Sequence, residues 1–151
     1  MKKYDWVIGV DPDAERHALA FYQAGTLVEL CTLTLPDIVN SLIYQGATDR
    51  TSFFSIEHVA AQSFVYNRNK KSTKKLESRV AVSVGRNQQS QIELVRWLDR
   101  YGIPYALHKP TGRNWANSKY LFERQTGWKK QSNQDTRSAA FFGFIEKDRC
   151  V

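Results

Sequence analysis

The chain has 151 residues, 42% hydrophobic and 25% charged, a globular composition long enough to bury a proper core. No apolar stretch approaches the roughly 20 residues that span a bilayer, and "MKKYDWVIGVDP" lacks the long apolar core and small-residue cleavage site of a signal peptide. The net charge of +7 and pI of about 9.5 suit a polyanionic partner, nucleic acid above all, while Cys31 and Cys150 make no disulfide framework and read as reduced thiols.

The predicted elements begin with a strand over 4–10, "YDWVIGV", and a second over 16–23, followed by a turn at Ala24-Gly25. A third strand over 26–34 is rich in β-branched residues, and the three short-linked strands predict an antiparallel meander. Pro36 suits the first turn of a helix with Ile38, Val39, Leu42 and Ile43 on one face. "SFFSI" (52–56) is a short strand ending at Glu57. The stretch 88–101 carries Ile92, Val95, Trp97 and Leu98 on a broad apolar side and predicts a central helix stopped by Gly102. A strand over 103–107 and a last helix over 135–147 complete the order β-β-β-α-β-α-β-α, with a further short helix over 120–125 between them. This order describes an α/β fold with one mixed five-stranded sheet, antiparallel meander first and parallel strands later, flanked by helices. With no repeat and no internal linker, residues 1–151 read as a single domain.

The acids fall at the boundaries of apolar elements. Asp11 follows the first strand, Glu57 the fourth, and Asp135 opens the last helix in "SNQDTRSAAFFGF". If the two strands are neighbours, both carboxylates emerge at one sheet edge, and a helix crossing that edge brings the third to them. Converging carboxylates without cations repel, so such a cluster calls for a hard, oxygen-preferring cation such as Mg2+. Two such ions about 4 Å apart suit phosphodiester hydrolysis. Each acid also has a plainer reading: Asp11 as a turn residue before Pro12-Asp13, Glu57 as a solvated strand end, Asp135 as a first-turn acid favoured by the helix dipole.

Basic residues cluster beside these acids. "YNRNKKSTKK" holds Arg68, Lys70, Lys71, Lys74 and Lys75, a loop that either tracks phosphates or is simply solvated. Phe64 and Tyr66 precede it, placed to stack on an unpaired base or wedge a junction, with a core role for Phe64 as the alternative. Lys109 and Arg113 follow the fifth strand and could hold the backbone near the scissile phosphate. Arg86 and Asn87 sit where the predicted central helix would start and offer its amides to phosphate, or form a simple cap. Lys119, Lys129, Lys130 and Arg137 extend the late basic set. His17, His58 and His108 form no compact ligand motif of the kind zinc wants.

Taken together, "IGVDPD", "FSIEHV", "SVGRNQQSQIELVRWL", "GIPYALHKPTGRNW" and "NQDTRSAA", in this order and spacing, make the chain resemble the RuvC-type Holliday junction resolvases of the ribonuclease H-like superfamily. The resemblance covers nearly the whole chain. It implies a structure-selective DNA endonuclease that resolves four-way or branched junctions by hydrolysis, working as a homodimer without a membrane. It also implies a site of four carboxylates holding two Mg2+ ions, with Mn2+ as a substitute. Asp11, Glu57 and Asp135 match three of those acids; the fourth, one helical turn beyond Asp135, is Ser138. A hydroxyl is a neutral, weak ligand. Its presence leaves three explanations open: a natural three-acid site, an inactivating substitution made for structural work, or a non-catalytic binder of branched DNA. A related nuclease acting on RNA–DNA hybrids or flaps is a further alternative. A second departure is Asp13, where the family usually has glycine. The implied location is cytoplasmic, at the nucleoid, or in the host cytoplasm if the chain is viral.

Overall fold

The computed structural model describes residues 1–44, 51–61 and 74–151, with residues 74–77 as backbone only. Five strands form one sheet: β1 (Trp6–Asp11), β2 (His17–Gln23), β3 (Thr26–Leu33), β4 (Ser52–Glu57) and β5 (Tyr105–His108). Their order is β3-β2-β1-β4-β5, with β1–β2 and β2–β3 antiparallel, and β1–β4 and β4–β5 parallel. This is the predicted mixed sheet, meander first. A strand at the centre of such a sheet must be apolar on both faces, because helices cover both. β1 satisfies this: Val7 packs into one buried cluster with Tyr22, Phe53 and Ala139, while Ile8 and Val10 pack into the opposite one with Phe54, Ile56, Leu94 and Leu98.

The helices divide between the two faces. α1 (Leu35–Ile38) runs on as a π-helical turn (Val39–Ile43), burying Ile38, Val39 and Ile43 as the sequence predicts. α2 (Lys74–Arg100) covers the same face with Gln91, Leu94 and Leu98, one stripe at helical spacing. Gly102 ends it in the left-handed region, φ +65°, as predicted. α3 (Lys119–Thr126) and α4 (Gln134–Ile145) lie on the other face. α4 sits hard against β1: a Cβ on Gly9 would lie 2.0 Å from the Ala139 carbonyl oxygen and 2.5 Å from the Gly143 nitrogen. Only two facing glycines let a helix approach a strand so closely.

α2 begins fourteen residues before its predicted start at residue 88. Its first half leaves Val80 and Val82 exposed and carries no continuous apolar stripe, so hydrophobic periodicity finds only the packed half. The smaller shifts are of one or two residues: Tyr4, predicted within β1, makes only an isolated bridge to Cys150. No helix among the described residues is long and apolar enough to cross a membrane.

Candidate active site

Asp11 is the last residue of β1 and Glu57 the last of β4. The parallel register ending at Val10↔Ile56 sets the two side by side. Side-chain alternation from Gly9 aims Asp11 at α4, and alternation from Ser55, whose Oγ donates to the Phe142 carbonyl, aims Glu57 the same way. The carboxyl edge of parallel strands is where α/β sheets place their ligand sites.

The start of α4 is fixed by a reciprocal cap. Asn133 accepts from the Thr136 amide at 2.9 Å, and the Thr136 hydroxyl accepts from the Asn133 amide at 2.9 Å. This sets Asp135 in the first turn and Ser138 one turn on, facing the same side. The Asn133-x-x-Thr136 spacing was readable in the sequence, though its consequence for Asp135 depended on where the helix packed.

The electrostatics follow from this packing. Asp11 is pushed up to about 8, first by burial, then by the charge of Glu57 and a hydrogen bond between the two carboxyls, and then by Asp135; the Ser138 hydroxyl acts in the opposite direction. Glu57 is raised as well, first by burial, with its hydrogen bond to Asp11 working against the shift and the charge of Asp135 adding to it. Without a cation the two carboxyls titrate as one pair, and the hydrogen bond between them needs a shared proton. Among the described residues, no Lys, Arg or His forms an ion pair with Asp11, Glu57 or Asp135. Ser138 is 3% exposed and its Oγ meets no partner in hydrogen-bonding geometry, although it stands close enough to Asp11 to favour the ionised form.

Among the described residues, no three His, Cys, Asp or Glu side chains close around one point as metal ligands do. Asp11 and Glu57 touch, while Asp135 is exposed and acts on both through its charge. The touching pair still suits Mg2+, which is commonly held by one or two carboxylates with water and substrate phosphate completing its shell. A half-buried and a buried acid in contact, with no cationic side chain paired to them among the described residues, fit such an ion better than they fit a structural role.

A pH dependence follows for the metal-free protein. Folding raises the Asp11 pKa from an ordinary 3.8, so its contribution to stability is complete below about pH 4 and is lost as pH rises through about 8. Asp11→Asn removes that slope. In EDTA the variant is expected to match the parent at pH 4 and to exceed it at pH 8 by roughly 1–3 kcal/mol, or about 3–10 °C in melting temperature. Equal melting temperatures at pH 8 would contradict the buried acid pair.

The turn after Asp11 is fastened to α2. The Asp13 amide donates to His17 Nδ1 at 3.3 Å, which leaves the hydrogen on Nε2, 3.2 Å from Ser90 Oγ; Ser90 in turn donates to the Asp13 carbonyl at 2.7 Å. Burial pushes His17 down to about 4, so this ring is neutral near pH 7. The Asp13 carboxylate accepts from the Ala14 amide and shapes the turn. Nothing in the sequence linked His17 to Ser90, because 73 residues separate them.

The basic residues are less uniform than predicted. Lys109 and Arg113 lie exposed on the loop after β5, at the same sheet edge as the acids. Arg137 is spent on structure: its guanidinium donates to the Ala116 carbonyl at 2.8 and 3.2 Å and to Ser132 at 3.2 Å, pinning that loop to α4. Arg86 is exposed but lies well inside α2, so the predicted phosphate site on helix N-terminal amides at Arg86-Asn87 does not exist. Lys74 and Lys75 belong to the first turn of α2 rather than to a loop. Phe64, Tyr66, Arg68, Lys70 and Lys71 lie outside the described residues.

The β3-β2-β1-β4-β5 sheet with helices on both faces and acids at the ends of β1 and β4 defines a ribonuclease H-like fold. More particularly, the fold is RuvC-like. The chain superposes on T. thermophilus RuvC in complex with a Holliday junction substrate at a TM-score of 0.57 and 13% identity, covering 95% of this chain and 94% of that one. A second Thermus thermophilus RuvC structure matches at 0.56 and 13%, covering 94% and 93%. No family model matches the chain, and no curated protein sequence does either.

Proposed function

We propose that this chain is a divalent-cation-dependent endonuclease that resolves four-way or branched DNA junctions by phosphodiester hydrolysis, acting as a two-fold pair in the cytoplasm. The observation that carries the reading is the contact of Asp11 with Glu57 at the carboxyl edge of β1 and β4, with Asp135 acting on both and no described side chain as counter-cation. Asp11 and Glu57 hold Mg2+, or Mn2+ in its place, and Asp135 stands at the rim where a phosphodiester would arrive. A cation held by Asp11 and Glu57 would supply positive charge for the phosphate oxygens and would acidify a water. Lys109 and Arg113 contact the neighbouring backbone, on a loop that Arg137 keeps in place. Phe64, Tyr66, Arg68, Lys70, Lys71, Lys74, Lys75 and Arg86 are further DNA contacts in this reading. The net charge of +7 supports a polyanionic partner, and the structure of a RuvC with a Holliday junction supports the choice of substrate. A symmetric junction cut on opposing strands requires two copies related by a two-fold axis.

A non-catalytic binder of branched DNA is the second reading, favoured by the neutral Ser138. A labelled four-way junction, a linear duplex and an RNA–DNA hybrid, each incubated with and without Mg2+, separate the alternatives. The expected result is Mg2+-dependent nicking of the junction alone. Junction binding without cleavage at any Mg2+ or Mn2+ concentration would favour the binder, and preferential cutting of the hybrid would move the substrate class.

A further inference from the structure

We propose that the connection between β5 and α4, residues 109–133 with α3 inside it, is a preformed surface for the phosphate backbone of a duplex DNA arm, contacted by Arg124, Lys129 and Lys130. The inference rests on the endonuclease reading and deepens it, with a binding surface beyond Lys109 and Arg113. The connection holds six Lys or Arg residues and one acid, Glu123, a net +5 out of the chain's +7. Most of these cations are also unpaired. Elsewhere, Arg16 and Arg137 donate to backbone carbonyls, Arg96 and Arg149 pair with carboxylates, and Arg100 lies over the Trp97 ring. Lys109, Arg113, Arg124 and Lys129 are exposed and have no such partner among the described residues. Outside the connection, only Arg79 and Arg86 of the described Lys and Arg side chains lack one. A basic surface that served solubility alone would not gather its free charge in this way.

The surface is held from beneath. Trp115 packs against Phe122, Phe141 and Phe144 at ring-centroid distances of 6.0, 5.5 and 5.1 Å. Ser118 caps the start of α3, and Gly127 ends it in the left-handed region, φ +71°. Phe122 is fully buried, so helical spacing puts Tyr120 and Arg124, one turn apart, on the outward side; Tyr120 is 74% exposed. Lys119 lies 3.7 Å from Glu123 and is the one cation of the connection in an ion pair. Lys129 and Lys130 occupy the turn that the Trp128 indole closes by donating to the Gln131 carbonyl at 3.1 Å, and Lys130 lies over that indole at 5.7 Å. Gln134, the first residue of α4, donates to Asn117 at 3.2 Å, which ties the surface to the helix that carries Asp135. A duplex backbone suits this set, because its closely spaced phosphates take Arg and Lys as charge partners and a Tyr hydroxyl as a donor. A surface already ordered loses little entropy when it binds.

Binding of a four-way junction, a linear duplex and a single strand, measured in EDTA against salt concentration, tests the surface without reference to cleavage. The combined variant Arg124→Gln, Lys129→Gln, Lys130→Gln should flatten the log–log slope by roughly two to three units on junction and duplex, and weaken both at least about tenfold. The charge-keeping variant Arg124→Lys, Lys129→Arg, Lys130→Arg should bind like the parent. Lys2→Gln, Arg96→Gln, Arg100→Gln lowers the net charge equally, at the start of the chain and in the last turns of α2. It should change the slope by less than about half a unit. An unchanged slope in the first variant would overturn the inference, and so would an equal fall in the Lys2, Arg96 and Arg100 variant or a fall confined to the single strand. A parent that binds junctions but never cuts them with Mg2+ or Mn2+ would overturn the endonuclease reading, while the slopes still decide the surface. A parent that binds neither junction nor duplex would overturn the surface outright.

Discussion

Asp11→Asn is expected to lower cation-dependent junction cleavage by at least about a thousandfold, equivalent to about 4 kcal/mol of transition-state stabilisation, while leaving junction binding intact or tighter. The substitution keeps the side chain's size and removes its charge. It breaks the carboxyl pair with Glu57 at the ends of β1 and β4. In the proposed reading binding is spared, because the exposed Lys109 and Arg113 would attract phosphate and a carboxylate at the edge would oppose it. Single-turnover cleavage and gel-shift affinity on the same junction measure the two effects separately. Full activity in the variant would remove Asp11 from the site.

Gly9→Ala is expected to destabilise the fold by about 3 kcal/mol or more, lowering the melting temperature by roughly 6–12 °C. The new Cβ would lie 2.0 Å from the Ala139 carbonyl oxygen and 2.8 Å from the Gly143 Cα, all backbone atoms that cannot rotate away. α4 must lift from β1 to admit it. Asp135 and Ser138 ride on that helix, so the folded fraction should also cleave more slowly than its stability alone predicts. Gly143→Ala should be milder, since the nearest atoms to its Cβ belong to the Tyr22 ring, at 2.6 and 2.9 Å. Thermal melts and activity per folded molecule check both variants; a Gly9→Ala protein as stable as the parent would show that α4 sits less tightly than described.

Much of the architecture was legible because it is written locally. The alternation and apolar continuity of "WVIGVD" and "SFFSIE" mark buried parallel strands, and Pro36 and Gly102 mark helix boundaries at particular residues. The early start of α2 was not legible, because among its described side chains the first half buries no stripe, and its sequence carries no periodic apolar signal. Misplacing that start made Arg86 look like a helix N-terminal phosphate contact and made Lys74 and Lys75 look like loop residues. Arg137 looked like any other basic residue until the Ala116 carbonyl was found beneath it.

The sequence by itself determined the sheet, its order of elements, and which acids could share an edge, since period-two patterning and the end of an apolar run are properties of neighbouring residues. Only the tertiary structure decided that Asp11 and Glu57 touch, that Asp135 remains outside their contact, and that Ser138 is buried with an unpaired hydroxyl. Those outcomes depend on the β1–β4 register and on how closely α4 approaches Gly9. The approach is set by backbone contact between Gly9 and Gly143, residues 134 positions apart in the chain, and separations of that kind are fixed by packing rather than by any local pattern.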